Sequence, residues 1–353
     1  MTIGDAAADQ LPFVSVLMPV RNEAGYIERS LGSVLAQNYP ATRMEILVVD
    51  GMSEDGTRDR VLALAEHDER IHLLDNPREI APTALNVGLQ AAHGEVLVRV
   101  DGHCEIEPDY VRRAVEILSQ GEFGGVGGPI ETVGETATAR AIAAAMSHPF
   151  GVGGSAFRSR RERVEDVDTI AFPAYRRTVV ARAGLYDEEL VRNQDDEYNY
   201  RLRELGERLL LTPAMRSRYY SRGTLRRLWR QYFQYGWWKV RVLQKHRRQM
   251  RARQFIPPLF VALLVLGPAL AWIAPVSAWV LLVIVGLYAG LCLSIAWVAG
   301  RRAGASWLRI VAAFALLHLG YGSGFLLGLG RFAGRWGDRR GRVPEWNGAG
   351  PTG

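Results

Sequence analysis

The sequence predicts an α/β domain with a mainly parallel sheet, followed by an amphipathic interfacial helix and C-terminal transmembrane helices. Three observations carry this. Over the first 210 residues short apolar runs alternate with helix-like stretches, the pattern of strands joined by crossover helices. From Phe255 to Gly300 there are 46 consecutive residues without a charged side chain, where one membrane helix needs about 20. The net charge of +6 divides unevenly: residues 1–207 hold 35 acidic and 21 basic side chains, residues 208–353 hold Asp338 and Glu345 against 22 basic ones. Such asymmetry says that the second half faces a polyanion. With 353 residues, 48% hydrophobic and 23% charged, disordered and collagen-like classes fall away. The two cysteines, Cys104 among polar residues and Cys292 in an apolar run, exclude a disulfide scaffold and suit a reducing compartment for the soluble part.

In chain order, residues 1–12 read as an N-terminal tail: Met1–Gln10 carries Asp5 and Asp9, no basic residue and no apolar core of a signal peptide. Phe13–Pro19 and Met44–Asp50 are apolar runs suited to buried strands. Between them Ala24–Ala36 places Ile27, Leu31, Val34 and Leu35 at helical spacing. Helices follow at about 57–67 and 82–92, with a third strand at Glu95–Val100, inside a domain spanning 13–222.

Arg208–Arg253 contains 14 basic residues and no acidic one. There Leu225, Leu228, Trp229, Tyr232, Phe233, Gly236, Val240 and Leu243 recur at helical spacing between Arg226, Arg227, Arg230, Lys239 and Arg241. This basic segment, 223–254, reads as a helix on anionic membrane lipid and not as a nucleic-acid patch, because membrane spans follow directly. The membrane region, 255–330, comprises spans at 256–273 and 277–299, broken at Ala274, Pro275 and Val276, and an uncharged run Ile310–Gly330 giving a third at 308–330. A basic tail, 331–353, closes the chain. Lys and Arg beside spans prefer the cytoplasm, which predicts a multi-pass protein of the plasma (inner) membrane with its N-terminal domain cytoplasmic. The third run strains the rule, since a crossing would put Arg331, Arg335, Arg339, Arg340 and Arg342 outside. Gly320, Gly322 and Gly324 permit either a re-entrant hairpin or close helix packing there. Within the two uncharged runs His318 is the only Asp, Glu, Lys, Arg or His, which speaks against a transporter or channel.

In open α/β sheets, ligands bind outside the carboxyl ends of the strands, and polar residues gather at those ends. After the first strand come Pro19, Arg21, Asn22 and Glu23; after the second, Asp50, Gly51, Ser53, Asp55 and Gly56; after the third, Asp101, Gly102 and His103. Acidic residues there can accept hydrogen bonds from a base or ribose, and Asp101 with His103 can ligate a divalent cation on a pyrophosphate. No GxxxxGK[ST] or GxGxxG follows the first strand, so phosphate charge needs metal and arginine.

The ordered set VSVLMPVRNE, VVDGMSEDGT, ALNVGL, VRVDGH, AYRR, GLYDE and NQDDEYNYRLRELG resembles the family 2 inverting glycosyltransferases of GT-A fold, over roughly residues 13–210. DGH, FGVGG and DDEYNYR resemble the bacterial succinoglycan-type exopolysaccharide enzymes within it. The resemblance implies that Pro19, Arg21, Glu23, Asp50, Arg78, Asn86 and Asp101 bind the nucleotide sugar. It also implies that Asp101 and His103, at the family's DxD positions, hold Mn²⁺ or Mg²⁺. His103 stands where the family has a second Asp, which tilts the preference to manganese; the alternative is that it caps a turn. The implied catalytic base is Asp195, preceded by Gln194 where the family has Glu, with Asp196 and Glu197 adjacent and Arg201 following. The alternative there is that these acids complement a helix N-terminus. Gln231, Gln234, Trp237 and Trp238 stand where processive relatives carry QxxRW for acceptor and diphosphate, without its arginine; the rings alternatively anchor the lipid interface. Gly151–Ser155 with Arg158, Arg160, Arg161 and Arg163 reads either as a covering loop or as a surface loop, and His148 as a further candidate metal ligand.

The implied function is a membrane-bound hexosyl transfer from a nucleotide-diphosphate sugar, UDP-sugar first, to a lipid-linked polyprenyl glycan in cell-surface or exopolysaccharide synthesis. Bare polyprenyl phosphate is the alternative acceptor. An inactive membrane scaffold is the alternative class, and a degenerate domain is expected to lose Asp101 or Asp195.

Overall fold

The computed structural model describes residues 10–153, 156–159, 162–221 and 223–346. The chain divides into two compact units, each discontinuous in sequence. The first is Met1–Glu131, Arg160–Tyr219 and Gly341–Gly353; the second is Thr132–Ser159 and Tyr220–Arg340.

In the first unit β1 (Val14–Val20) and β2 (Met44–Asp50) are the two apolar runs, buried almost end to end, as parallel strands covered on both faces must be. Between them α1 (Ile27–Leu35) turns Ile27, Leu31 and Val34 inward. α2 (Thr57–Ala65), β3 (Ile71–Asp75), α3 (Ala81–Ala91) and β4 (Val96–Arg99) continue the alternation. β3 is an addition to the strands expected from the sequence. It lies at the sheet edge, where only Ile71 is buried, so it shows no continuous apolar run. β5 (Cys104–Ile106), α4 (Tyr110–Ser119), β6 (Gly125–Gly127) and β7 (Ile130–Val133) follow. After α5 (Ala137–Met146), which belongs to the second unit, come β8 (Glu165–Asp166), β9 (Ala174–Arg176), α6 (Arg177–Ala183), α7 (Gln194–Glu204), β10 (Leu209–Leu211) and β11 (Ser217–Tyr220).

The eight-stranded sheet has the order β3-β2-β1-β4-β9-β6-β10-β8. β3, β2, β1 and β4 are parallel, and β9 enters antiparallel between β4 and β6. Val20 pairs with Asp50 and Asp50 with Asp75, so the first three strands end level and their loops open at one edge. Chain order reverses beside β1, whose neighbours are β2 and β4, and a crevice at such a reversal is where an open sheet binds its ligand. Leu17, Leu47, Leu85, Leu97, Tyr175, Tyr186 and Tyr198 share the core cluster on one face.

In the second unit α8 (Leu225–Lys245) forms where the apolar spacing predicts it, with Thr224 Oγ1 accepting from Arg227 N at 3.3 Å. Its cations divide. Arg226, Arg227 and Arg230 are exposed, as an interfacial helix requires. Lys239, Arg241 and Lys245 are buried, at 1%, 0% and 7% exposure, so only the first half of the helix turns a basic face outward. Arg241 donates to Gln244 Oε1 at 2.6 Å and lies 3.4 Å from Asp338. α9 (Ile256–Ile273) and α10 (Pro275–Ala303) break at Ala274, Pro275 taking the first helical position, where its missing N–H costs nothing. α11 (Trp307–Arg331) is one continuous helix, which overturns the re-entrant alternative. Its glycines serve packing: a Cβ at Gly328 would stand 2.8 Å from the Trp237 carbonyl oxygen, and one at Gly324 would collide with that of Phe233. Gly320 faces Trp229 in the same way, so Gly320, Gly324 and Gly328 form one stripe against α8.

The Gly151 stretch is likewise packed at its start. A Cβ at Gly151 would approach Phe314 at 3.0 Å, and His318 Nε2 lies 2.8 Å from the Phe150 carbonyl oxygen. Arg158 donates to Thr132 Oγ1 at 3.1 Å; Gly154, Ser155, Arg160 and Arg161 lie outside the described residues. His148 Nδ1 accepts from Phe150 N at 3.1 Å, capping a helical turn, which is a structural use and not a metal ligand's. Cys104 and Cys292 are buried and free.

Candidate active site

The loops after β1 and β2 are laced together by their polar residues. Asn22 N donates to Ser53 Oγ at 2.8 Å, Glu23 N to Thr57 Oγ1 at 2.8 Å and Ala24 N to Asp55 Oδ2 at 3.0 Å. Asn22 and Met52 take left-handed backbone conformations, φ 54° and 56°. Asp50 is fully buried and accepts from its own loop, Ser53 Oγ at 2.6 Å and Ser53 N at 3.1 Å, with Arg58 3.5 Å away. Pro19 sits half-buried at the end of β1. The third loop edge comes from β3: Arg21 pairs with Glu79, and Arg78 with Glu188. Asn86 is 3% exposed and clamps the segment after α6, donating to the Tyr186 carbonyl at 2.9 Å and to Glu188 Oε1 at 3.1 Å while accepting from Tyr186 N at 2.7 Å.

Arg99, the last residue of β4, joins the principal candidates. Its guanidinium donates through Nε to Asp101 Oδ1 at 2.8 Å, and through Nη1 to Asp195 Oδ1. One buried cation thus bridges the carboxylate after the third expected strand and the carboxylate in the first turn of α7. Burial works against the Arg99 charge, but Asp101 and Asp195 hold it, and its pKa stands well above the ordinary guanidinium value. Asp195 follows Asn193, which turns the chain at φ 62°. Its side chain is 41% exposed while that of Arg99 is 9% exposed, so the protein encloses the carboxylate without sealing it. Burial raises the Asp195 pKa above the usual aspartate range, the Asp101 charge adds to this, and Arg99 opposes. A carboxylate so placed can accept a proton closer to neutrality than a free aspartate can.

His103 and Glu23 meet: His103 Nδ1 lies 2.9 Å from Glu23 Oε1, both side chains mostly buried, and the imidazole stands edge-on to Tyr219 at 4.9 Å. Gly102 between Asp101 and His103 is required by this approach, since a Cβ there would stand 2.9 Å from Val20 Cγ1 and 3.1 Å from Glu23 Cγ. A carboxylate on Nδ1 fixes the tautomer that leaves Nε2 as the acceptor, which is how metal-ligating histidines are oriented. The donor set therefore fits a divalent cation held by Asp101 and His103 together with substrate oxygens. Among the described residues no three His, Cys, Asp or Glu side chains form a ready metal centre.

The acids after Asp195 divide by role. Glu197 is 3% exposed and binds Arg201 at 2.9 Å through both oxygens, and Arg201 in turn donates to the carbonyls of Ala183 and Leu185 at 2.7 and 2.9 Å. Glu197 thereby organises the segment before α7, and Asp196 stays half-buried in the helix's first turn. In the second unit Gln231 donates to Tyr235 Oη at 2.8 Å and keeps Oε1 buried without a hydrogen-bond partner. Gln234 lies on the same helix, and Trp237 and Trp238 pack on Phe332 at 5.7 and 5.8 Å. Arg99 and Glu188 are the site residues that sequence reading missed; a lone arginine inside the apolar VLVRV run was the available signal.

Residues 15–182 match the model of the family "Glycosyl transferase family 2". The chain is 34% identical over 326 residues to the succinoglycan biosynthesis protein ExoA of Rhizobium meliloti, covering 90% of this chain and 96% of that one. It is 29% identical to the dolichyl N-acetyl-alpha-D-glucosaminyl phosphate 3-beta-D-2,3-diacetamido-2,3-dideoxy-beta-D-glucuronosyltransferase of Methanococcus voltae, over 66% of this chain and 74% of the relative. Among solved structures, the mannosyltransferase PcManGT of Pyrobaculum calidifontis, in complex with GDP-Man and Mn²⁺, aligns with a TM-score of 0.56 at 21% identity over 89% of this chain and 88% of that one. That likeness bears on the fold, and agrees with the GT-A architecture that the motifs imply.

Proposed function

Because the chain belongs to glycosyl transferase family 2, we propose that it is an inverting hexosyltransferase moving a sugar from a nucleoside diphosphate donor, a UDP-sugar first, to a lipid-linked polyprenyl glycan. Exopolysaccharide or other cell-surface polysaccharide is the end use, in keeping with the succinoglycan relative. The observation that carries the reading is the Arg99 bridge between Asp101 and Asp195, which sets a diphosphate-side carboxylate and a candidate base on either side of one guanidinium.

In this reading Asp195 takes the acceptor hydroxyl's proton as the hydroxyl oxygen bonds to the anomeric carbon. The bond from that carbon to the diphosphate oxygen breaks on the opposite face, and nucleoside diphosphate leaves. Arg99 takes Asp195 Oδ1, which leaves Oδ2 to meet the hydroxyl. Pro19, Arg21, Glu23, Asp50, Arg78 and Asn86 form or support the nucleotide side, several of them through the loop contacts described above. Asp101 and His103 would hold Mn²⁺ or Mg²⁺, which supplies charge neutralisation for the departing diphosphate. Gln231, Gln234, Trp237 and Trp238 serve the acceptor side in the same proposal, on a helix whose exposed Arg226, Arg227 and Arg230 meet anionic lipid. The enzyme works at the inner membrane with its catalytic domain cytoplasmic.

The test is release of nucleoside diphosphate by the full chain in a membrane mimetic, across UDP-, GDP- and dTDP-sugars with Mn²⁺ or Mg²⁺ and a lipid extract. Metal-dependent release from one donor that requires the extract is expected. Donor binding without turnover, identical in the parent and Asp195→Asn, would favour a scaffold.

A further inference from the structure

The C-terminal segment returns to the first unit after the last apolar helix. Asp187 is 1% exposed, and a buried carboxylate is costly unless hydrogen-bonded. Its Oδ1 accepts from Glu189 N at 3.0 Å and from Arg342 N at 2.8 Å. The neighbouring Glu188 N donates to the Arg342 carbonyl at 3.0 Å, so one tail residue is bonded on both sides to consecutive loop residues. Gly341 lies so close to the Asp187 carboxylate that a Cβ there would collide with it. Val343 stands beside Gly184, itself at φ 76°. Trp346 lies 5.4 Å from the Arg177 guanidinium and packs against the core cluster containing Tyr186 and Tyr198. Those two rings stack at 4.2 Å, and Tyr198 is in α7, one turn beyond Asp195. Glu188, gripped by the tail through its backbone, is the residue whose carboxylate receives Arg78 and Asn86.

We propose that Gly341–Trp346 is a positioning strap for the transfer reaction: Arg342 through its backbone and Trp346 through its ring hold the Gly184–Asn193 loop, and with it Asp195 and the Glu188–Arg78 pair. The proposal rests on the transferase reading for its effect on rate, and on geometry alone for its effect on the loop. Small displacements of a reacting group cost large factors in rate, so a strap that touches no substrate still governs turnover.

The experiment uses the full chain in nanodiscs carrying Trp346→Ala, Trp346→Phe or Gly341→Val, with three readouts: kcat, Kd for the nucleoside diphosphate with Mn²⁺, and amide hydrogen exchange. In Trp346→Ala and Gly341→Val, exchange at 186–195 accelerates about tenfold or more while β2 amides at 44–50 stay protected. kcat falls about tenfold with nucleotide Kd changed less than about twofold, and Trp346→Phe, which keeps a ring over Arg177, recovers most of the rate. Unchanged loop exchange and unchanged kcat in both disruptive variants would overturn the strap. So would loss of protection throughout the sheet in Trp346→Ala and Trp346→Phe alike. A parent chain that transfers nothing from any donor would instead overturn the transferase reading, and the exchange pattern then decides the strap by itself.

Discussion

Arg99 is the residue on which the site turns, and it sits where a core side chain is expected, at the end of a strand buried at every position. Its two carboxylate partners are legible in the sequence as polar residues after strands and at a helix start. The cation joining them is not, because apolar periodicity treats an arginine in VLVRV as an interruption. With Oδ1 of Asp195 taken by Arg99, Asp195→Asn keeps the shape and, on the proposed reading, loses the proton acceptor. kcat is expected to fall by about 10²- to 10⁴-fold with donor Kd nearly unchanged, measured by single-turnover transfer and by nucleotide titration. The pH profile has a defined sign. The proposed base must be ionised to act, and burial raises its pKa, Asp101 adding to this and Arg99 opposing, so transfer is expected to be full above that raised value. As pH falls through it, kcat/KM drops about tenfold per unit. A profile flat down to about pH 4 would put the base elsewhere. Glu23 offers a third check, since the sequence places it with the nucleotide and its carboxylate is found on His103 Nδ1. Glu23→Ala should raise the Mn²⁺ concentration for half-maximal transfer by about 10- to 100-fold; an unchanged requirement would leave His103 merely packed on Tyr219.

At the scale of elements, β1, β2, β4 and the helices α1–α3 and α8–α11 follow from apolar runs and periodicity, whereas β3 and the short strands β5–β11 do not. β3 escapes because an edge strand alternates burial only weakly. The first two loops are held by short polar side chains whose partners come from the other loop, which no local pattern reveals. Asp55 shows the consequence: it accepts from Ala24 N, Thr57 N and Thr57 Oγ1. Burial tends to raise its pKa, but these hydrogen bonds outweigh it and the pKa lies below the ordinary value of 3.8. A depressed carboxylate contributes stability above its unfolded pKa and loses it as pH falls through the folded one. Asp55 is exposed, so solvent screens these bonds, and Asp55→Ala should destabilise the first unit by only about 0.5 kcal/mol at pH 7, with the difference from the parent vanishing in acid denaturation. The glycine stripe of α11 is the opposite case. The sequence displays the glycines but leaves two uses open, and the contacts of Gly320, Gly324 and Gly328 with Trp229, Phe233 and Trp237 select close packing. Gly324→Val overpacks the contact with the Phe233 backbone at a cost of about 1–3 kcal/mol or more. The readout is a lower melting temperature in detergent, while Gly330→Val, where nothing lies within 4 Å of the added Cβ, should melt as the parent does.

For the whole molecule, the return of the tail constrains the membrane topology by parity. The chain leaves the first unit at Tyr219 and rejoins it at Gly341, where Arg342 hydrogen-bonds to Asp187 and Glu188. A bilayer cannot lie between two parts of one folded unit, so an even number of crossings in between is the expected topology. Three helices among the described residues are long and apolar enough to cross, and an even count predicts that one of them does not complete a crossing. α9 and α10 have 17% and 6% of their most apolar stretch buried within the protein, whereas α11 has 44% and spends its glycine face on the basic α8. α11, the most covered of the three, is the helix expected to fall short. The basic residues after it would then stay with the first unit, and the distribution of positive charge, broken if α11 crosses, would be restored. Single cysteines test this directly, because Cys104 and Cys292 are buried. Gly337→Cys, with nothing within 4 Å of its Cβ, and Leu62→Cys, at a site 45% exposed, should resist an impermeant maleimide on intact cells and react in inverted vesicles. Val276→Cys, in the α9–α10 turn and 74% exposed, should react on intact cells. Labelling of Gly337→Cys from outside would mean three crossings, and would require the tail to leave the site it is bonded to.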